Sequence, residues 1–363
     1  VKIAYLVAGV PLRGPSGASA HARGLLVALA EQGEARLFAV REQDRRGAVA
    51  PPNPGVYTGV PGWPSYLRRW EELREIRAGR RLGERLIEEA DRGWLPDRII
   101  ERHSLFSDAG LRAAEALGRP LLLEVNAPLC AERARYEALP HPAWAARWER
   151  TVLRGASRIA AVSRWLVRWL REEIGCADVI WVPNGTDLPP GDRARGRAAL
   201  GLGADEPAIA FLGSMRPYHG VERCLPVAQA LGARLVLLGP PQPGIEALQP
   251  GWLLGQALAD ALAAVDLALA PYPATAPPWF CPLKLLDYRS QGTPIVATDV
   301  GDCTALIGPE DLLVPPDDAG ALIEASRRRI GQRSAPFVRS WATVAADMLA
   351  PPEKALGSAP AIR

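Results

Sequence analysis

No apolar run in this chain of 363 residues approaches the roughly 20 needed to span a bilayer. No charged-then-apolar leader precedes the strand-like opening Val1–Val7, so the expectation is a cytoplasmic protein. Cysteine is sparse and dispersed: Cys130, Cys176, Cys224, Cys281 and Cys303 include no CxxC pair. That pattern excludes a disulfide framework and reads as free thiols in a reducing compartment. The four histidines, His21, His103, His141 and His219, lie far apart and show no metal-ligand spacing. Charge of one sign is lacking too, and a net +3 does not imply nucleic acid. There is no GxGxxG, which argues against a tight dinucleotide-binding turn. No repeat of solenoid period occurs. Ser163 has no His or Asp signature around it, which argues against a serine nucleophile.

What is present is a soluble globular composition, 48% hydrophobic and 23% charged, in a chain long enough for two domains. Apolar runs alternate with helical stretches. Val1–Val7, Ala35–Val40, Arg98–Ile100, Leu121–Val125, Ile159–Val162 and Val179–Val182 read as strands. Continuous apolar runs of this kind are the mark of parallel strands buried on both faces. The alternation pauses at Pro183–Gly191 and restarts with Ala208–Leu212, Arg234–Leu238, Leu267–Ala270 and Ile295–Thr298. The reading is α/β with two doubly wound, Rossmann-like domains, 1–187 and 188–335. A helix within 336–350 returns to the first domain, and a flexible tail occupies 351–363. Two such domains are expected to face a central cleft at the carboxyl ends of their strands, where α/β sheets bind ligands.

Three stretches carry candidate chemistry. Gly14, Ser16 and Gly17 lie in a loop between the first strand and a helix, where backbone N–H groups can approach an oxyanion. The alternative is a plain strand-to-helix turn. In "FLGSMRPYHGVE", residues 211–222, Arg216 and His219 stand three apart in a Gly-bounded loop and could offset a diphosphate. The alternative is a solvated loop. In "PLKLLDYRSQGTPIVAT", residues 282–298, Lys284 and Asp287 share one face of a helix whose leucines hold it on a core. A surface ion pair is the bland reading. Cations for a diphosphate beside a carboxylate for a ribose diol is the sharper one, and it describes a nucleotide-sugar.

Taken in order, these segments with "IIERHSLFSDAG" (99–110), "LLLEVNAPL" (121–129), "AVSRWL" (161–166) and "VPNGTD" (182–187) resemble a retaining family-4 glycosyltransferase of the GT-B fold, along essentially the whole chain. The subgroup it resembles acts in polysaccharide or secondary-metabolite assembly. The resemblance implies transfer of a sugar from an NDP-sugar of UDP or GDP type to a sugar, lipid-linked or small-molecule acceptor, with retention and without metal or other cofactor. It implies that Asp287 grips the donor ribose and that Arg216, His219 and Lys284 hold the diphosphate, with Leu285 beside them. Leu254 and Gly255 would pass the nucleobase. Gly14, Ser16 and Gly17 would approach the donor phosphate. Asn126 would lie at the donor sugar, and Glu101 and Arg102 would line the acceptor half. Arg216, Lys284 and Asn126 are the catalytic candidates. The chain departs from the family's Glu-x7-Glu: Trp279 replaces the first acid, and the second is Asp287, one methylene shorter.

An epimerase or hydrolase of the same two-domain plan, and an idle donor-binding partner, are the other readings. The Arg-rich segment 65–86 carries Tyr66, Trp70, Leu73 and Ile76 at helical spacing. Such a helix can lie on anionic lipid at the inner face of a membrane. Four interspersed glutamates make an ordinary amphipathic surface helix the commoner reading.

Overall fold

The structure, a computed structural model, describes residues 1–12, 14, 16–40 and 65–351, the side chains of 65–70 aside. Tyr66, Trp70 and nearly all of the expected tail therefore lie outside the described side chains. Among the described residues the chain divides into two compact units, one of Val1–Gly14, Ala18–Pro183 and 344–351, the other Asn184–Thr343 together with residues 16–17.

The first unit contains β1 (Lys2–Val7), α1 (Gly17–Gln32), β2 (Glu34–Ala39), α2 (Ser65–Asp91), β3 (Arg98–Arg102) and α3 (Ala109–Leu117). It continues with β4 (Leu121–Val125), α4 (Leu129–Tyr136), α5 (Pro142–Gly155), β5 (Arg158–Ala161), α6 (Arg164–Trp169) and β6 (Val179–Trp181). Its strands run parallel in the order β2-β1-β3-β4-β5-β6. The core is built from Leu6, Ile99, Leu121 and their neighbours, with Leu82 and Leu86 of α2 packed on it. Thus α2 spends much of its apolar face inside its own unit, leaving Arg74, Arg77, Arg80 and Arg81 outside among glutamates. Ser163 is the N-cap of α6, its side chain accepting from the Leu166 N–H at 3.2 Å, a structural task for that hydroxyl.

The second unit contains α7 (Arg193–Leu200), β7 (Ala208–Leu212), α8 (Cys224–Leu231), β8 (Arg234–Leu238), β9 (Leu248–Gly251) and α9 (Gly255–Ala264). It continues with β10 (Leu267–Ala270), α10 (Leu283–Ser290), β11 (Ile295–Thr298), α11 (Cys303–Leu306), β12 (Leu312–Val314) and α12 (Ala319–Arg329). The parallel order is β12-β11-β10-β7-β8-β9. That order reverses direction between β7 and β10. Segments leaving the carboxyl ends of those two strands diverge there, and such a switch point is where open α/β sheets take ligands.

The last helix, α13 (Trp341–Leu349), starts three residues later than the apolar pattern from Val338 suggests. Ser340 supplies the cap, its hydroxyl accepting from the Thr343 N–H at 3.1 Å, and Val338 is left exposed. From Val344 the helix belongs to the first unit: Val344, Ala345 and Met348 are buried, and Arg158 donates to the Ala350 carbonyl at 2.5 Å. Each large apolar side chain buried here contributes roughly 1.5–3 kcal/mol. Truncation after Pro336 is therefore expected to lower the melting temperature of the first unit clearly. An unchanged melting curve would show that the helix is dispensable.

Candidate active site

At the switch point of the second unit, β7 ends at Leu212 and the chain turns through Gly213–Gly220. Two glycines make this turn possible. A Cβ on Gly220, whose φ is +68°, would lie 2.0 Å from the Pro271 carbonyl oxygen that follows β10. A Cβ on Gly213 would sit 3.2 Å from both His219 Nδ1 and Lys284 Nζ. The two basic nitrogens therefore flank one spot on the backbone. Met215, at φ +55°, holds a left-handed conformation that non-glycine residues rarely adopt.

Lys284 does not pair with Asp287. Its Nζ is buried, lies 3.9 Å from the Phe211 ring centroid and 5.0 Å from that of Tyr272, and finds no hydrogen-bond partner. Burial pushes its pKa down to about 7, with the Cys224 and Cys303 thiols acting weakly the other way. The His219 imidazole is held well below its usual range by burial, then by Lys284 and Arg216. Its Nδ1 accepts the Arg216 backbone N–H at 3.4 Å, while its own backbone N–H donates to the Arg216 carbonyl at 2.8 Å. Burial and the two neighbouring cations thus favour the neutral imidazole, against the cation that its spacing from Arg216 suggested. Arg216, half-buried, carries its guanidinium 5.9 Å from the Tyr218 ring centroid.

Asp287, half-buried on α10, accepts from the Thr186 hydroxyl at 2.6 Å. Burial drives its pKa up to about 6 against that hydrogen bond. The segment read as a domain joint thus serves the site: Thr186 aims Asp287, and Asn184 Nδ2 donates to the Cys281 carbonyl at 3.1 Å just ahead of α10. Tyr288 ties α10 to the sheet, its hydroxyl accepting from the Leu212 N–H at 2.8 Å. Leu285 is fully buried, so its side chain packs in the core and only its backbone could meet a ligand. Pro282 leaves the N-terminus of α10 without a side-chain cap, an end where the helix dipole favours an anion. Leu254 is 52% exposed and adjoins Gly255, which opens α9 at φ +54°. Trp279, in place of the family's first acid, is buried.

Gly17 is the first residue of α1, and Gly14 and Ser16 lie in the loop before it. Arg23 of α1 braces this loop, donating to the Leu12 and Gly14 carbonyls at 2.7 and 2.9 Å. In the first unit, Glu101, expected to line the acceptor half, has its carboxylate engaged internally. It is buried, with Ser107 Oγ donating at 2.6 Å and the Gly110 N–H at 2.8 Å, so its carboxylate anchors the start of α3. Arg102 is buried as well, and donates to Glu124 at 3.1 Å.

Glu124 is the residue that sequence reasoning passed over. Arg102, Asn126 Nδ2 at 3.2 Å, the Tyr5 hydroxyl at 3.4 Å and His21 of α1 all converge on its buried carboxylate. Burial alone would raise its pKa; His21 and Arg102, then the hydrogen bonds from His21 and Asn126, overcome this and bring it to about 2. The one visible signal was a charge inside the apolar strand LLLEV. Because Asn126 turns its amide nitrogen to Glu124, its Oδ1 is directed elsewhere, as a hydrogen-bond acceptor.

Comparison with known proteins agrees with this architecture. Residues 15–189 match Glycosyltransferase Family 4, and residues 206–331 match Glycosyl transferases group 1. A D-inositol 3-phosphate glycosyltransferase of Nocardia farcinica is 29% identical over 58% of this chain and 55% of its own. The chain thus spans about half the length of that relative. Sucrose-phosphate synthase from Thermosynechococcus elongatus superposes with a TM-score of 0.66 at 19% identity, covering 96% of this chain and 93% of that one. Anabaena HepE in complex with UDP and glucose gives 0.59 at 17% identity, covering 96% and 95%. With two parallel six-stranded sheets and matches over both halves, the chain belongs to the family-4, group-1 glycosyltransferases of the GT-B fold.

Proposed function

We propose that this glycosyltransferase moves a hexosyl-type sugar from an NDP-sugar of UDP or GDP type to an acceptor hydroxyl, with retention and without a divalent ion. One observation carries the donor assignment: Lys284, a buried basic nitrogen with no hydrogen-bond partner, beside His219 and the Arg216 loop at the switch point. A buried charge left unpaired is costly, and an anion of matching size is what relieves it. A diphosphate fits that need, with the uncapped start of α10 behind it. Asp287, already an acceptor toward Thr186, suits a ribose diol. Arg216 and Lys284 would stabilise charge on the leaving diphosphate, whose oxygen can take the acceptor proton as the C1–O bond breaks. HepE, described with UDP and glucose, lends support to a nucleotide-sugar donor. Retention rests on the family resemblance. So does a place in polysaccharide or secondary-metabolite assembly on the cytoplasmic side.

Asn126 Oδ1, in the first unit, would meet a sugar hydroxyl, and the Gly14–Gly17 loop would offer backbone N–H groups. Among the described residues no three His, Cys, Asp or Glu side chains gather as a metal site, and no helix is long and apolar enough to cross a membrane. A lipid-linked acceptor at a membrane surface stays a proposal, resting on the arginines of α2.

Binding calorimetry of Asp287→Asn tests the donor site. Losing a charge-assisted hydrogen bond costs about 1.5–3 kcal/mol, so affinity for UDP or GDP is expected to fall roughly 10- to 150-fold. The free nucleoside should weaken equally, because Asp287 meets ribose and not phosphate. Free NDP released from NDP-sugars, with and without acceptors, then separates transfer from epimerisation or idle binding. Wild-type affinity in Asp287→Asn would sink the ribose assignment.

A further inference from the structure

We infer that the cluster of Gly213, His219 and Lys284 binds its diphosphate together with a proton, Lys284 being the main proton acceptor and His219 the second. The inference deepens the donor-site reading above and rests on it. Its ground is geometric. Lys284 Nζ and His219 Nδ1 each lie 3.2 Å from where a Cβ on Gly213 would stand, and Lys284 is 7% exposed.

Among the described residues, the charged and titratable groups acting on this pair include no carboxylate. Cys224 comes from α8, Cys303 from α11, Arg216 and Tyr218 from the loop after β7, and Tyr272 from the segment after β10. On α10 itself, Asp287 turns to Thr186, and the Tyr288 hydroxyl meets the backbone around Leu212 and Leu269. Two basic groups packed in apolar surroundings beside Arg216 cannot both stay charged without an anion beside them. The directions agree: burial pushes Lys284 down to about 7 and His219 well below its usual range.

A diphosphate reverses the balance, because an adjacent anion favours the protonated forms. The consequence for turnover is a difference between substrate and product. In the NDP-sugar the terminal phosphate is a diester; after transfer the freed NDP carries one further oxygen, ionised once the proton it took from the acceptor has passed on. A cluster that gains positive charge with its ligand therefore holds the leaving NDP more tightly than the donor, and gives up its proton when NDP departs.

Calorimetry with UDP and with GDP, in buffers of different ionisation enthalpy at about pH 8, tests the coupling, since the free terminal phosphate is ionised there. About one proton should be taken up per ligand bound, and affinity should fall about tenfold per pH unit above this. Lys284→Arg, permanently charged, should bind with uptake reduced by more than half; Lys284→Met, read at saturating NDP because it binds weakly, serves should that variant not fold. Binding without proton uptake would overturn the inference and leave the diphosphate reading intact. Uptake undiminished in the Lys284 variants would overturn the assignment to Lys284. If neither nucleotide binds, the reading beneath it falls as well.

Discussion

Lys284→Met is expected to make the ligand-free protein more stable while greatly weakening its hold on an NDP. Lys284 is buried, touches the Phe211 ring and has no hydrogen-bond partner. Its pKa falls from 10.5 to about 7, and each tenfold loss of proton affinity corresponds to about 1.4 kcal/mol. The depressed value means that charge on Lys284 opposes folding. The penalty is full below about 7 and fades as pH rises toward the unfolded value of 10.5. Methionine has similar length and no charge, so a gain of roughly 2–4 kcal/mol near neutral pH is expected. For a unit of this size that is a rise of roughly 5–10 °C in melting temperature. The gain should shrink at alkaline pH, and nucleotide should add little further stability to the variant. A variant that melts lower than wild type near pH 7, yet binds NDP normally, would show that Lys284 has an unseen structural partner. Sites that trade stability for ligand charge behave as expected here, not as that outcome would require.

Glu124→Gln is expected to have the opposite sign. The carboxylate holds Arg102 of β3, Tyr5 of β1, His21 of α1 and Asn126, which follows β4. Removing one partner of a buried ion cluster leaves uncompensated charge and costs about 3–5 kcal/mol. Urea unfolding followed by hydrogen exchange should assign that loss to the first unit and spare the second. The wild-type pH dependence follows from the same residue. Its folded pKa of about 2 lies below the usual 4.5, so its contribution is complete above 4.5 and is lost as pH falls toward 2. The first unit should thus lose stability across this acid range, and Glu124→Gln should lose less there because its contribution is already gone. A variant with an unshifted urea midpoint would mean that the cluster is balanced by its own desolvation.

The opposed signs show what a single chain makes legible and what it hides. Strands such as Leu121–Val125 and Ile295–Thr298 could be read directly, because burial on both faces leaves an apolar run. Short elements escaped: α4, β12 and α12 are brief or mixed in polarity, and their helical or extended state depends on the sheet they pack against. Chemistry-bearing positions in the second unit were recognised from residue types and order. Their partners were not. Spacing of three on a helix suggested that Lys284 and Asp287 would meet, whereas α10 sends Lys284 to Phe211 and Asp287 to Thr186, about a hundred residues away in sequence.

By itself, then, the order of apolar runs and glycine-bounded loops determined a doubly wound α/β chain and its family, since both are matters of local period and motif order. Charge state was decided only by tertiary structure. Whether Glu101 is an acceptor ligand or an anchor for α3, whether His219 is a cation or a neutral acceptor, and whether Glu124 matters at all depend on which side chains the sheet crossings bring within about 3 Å and how much water they exclude. Such desolvation is a property of neighbours distant in sequence, and no window along the chain contains it.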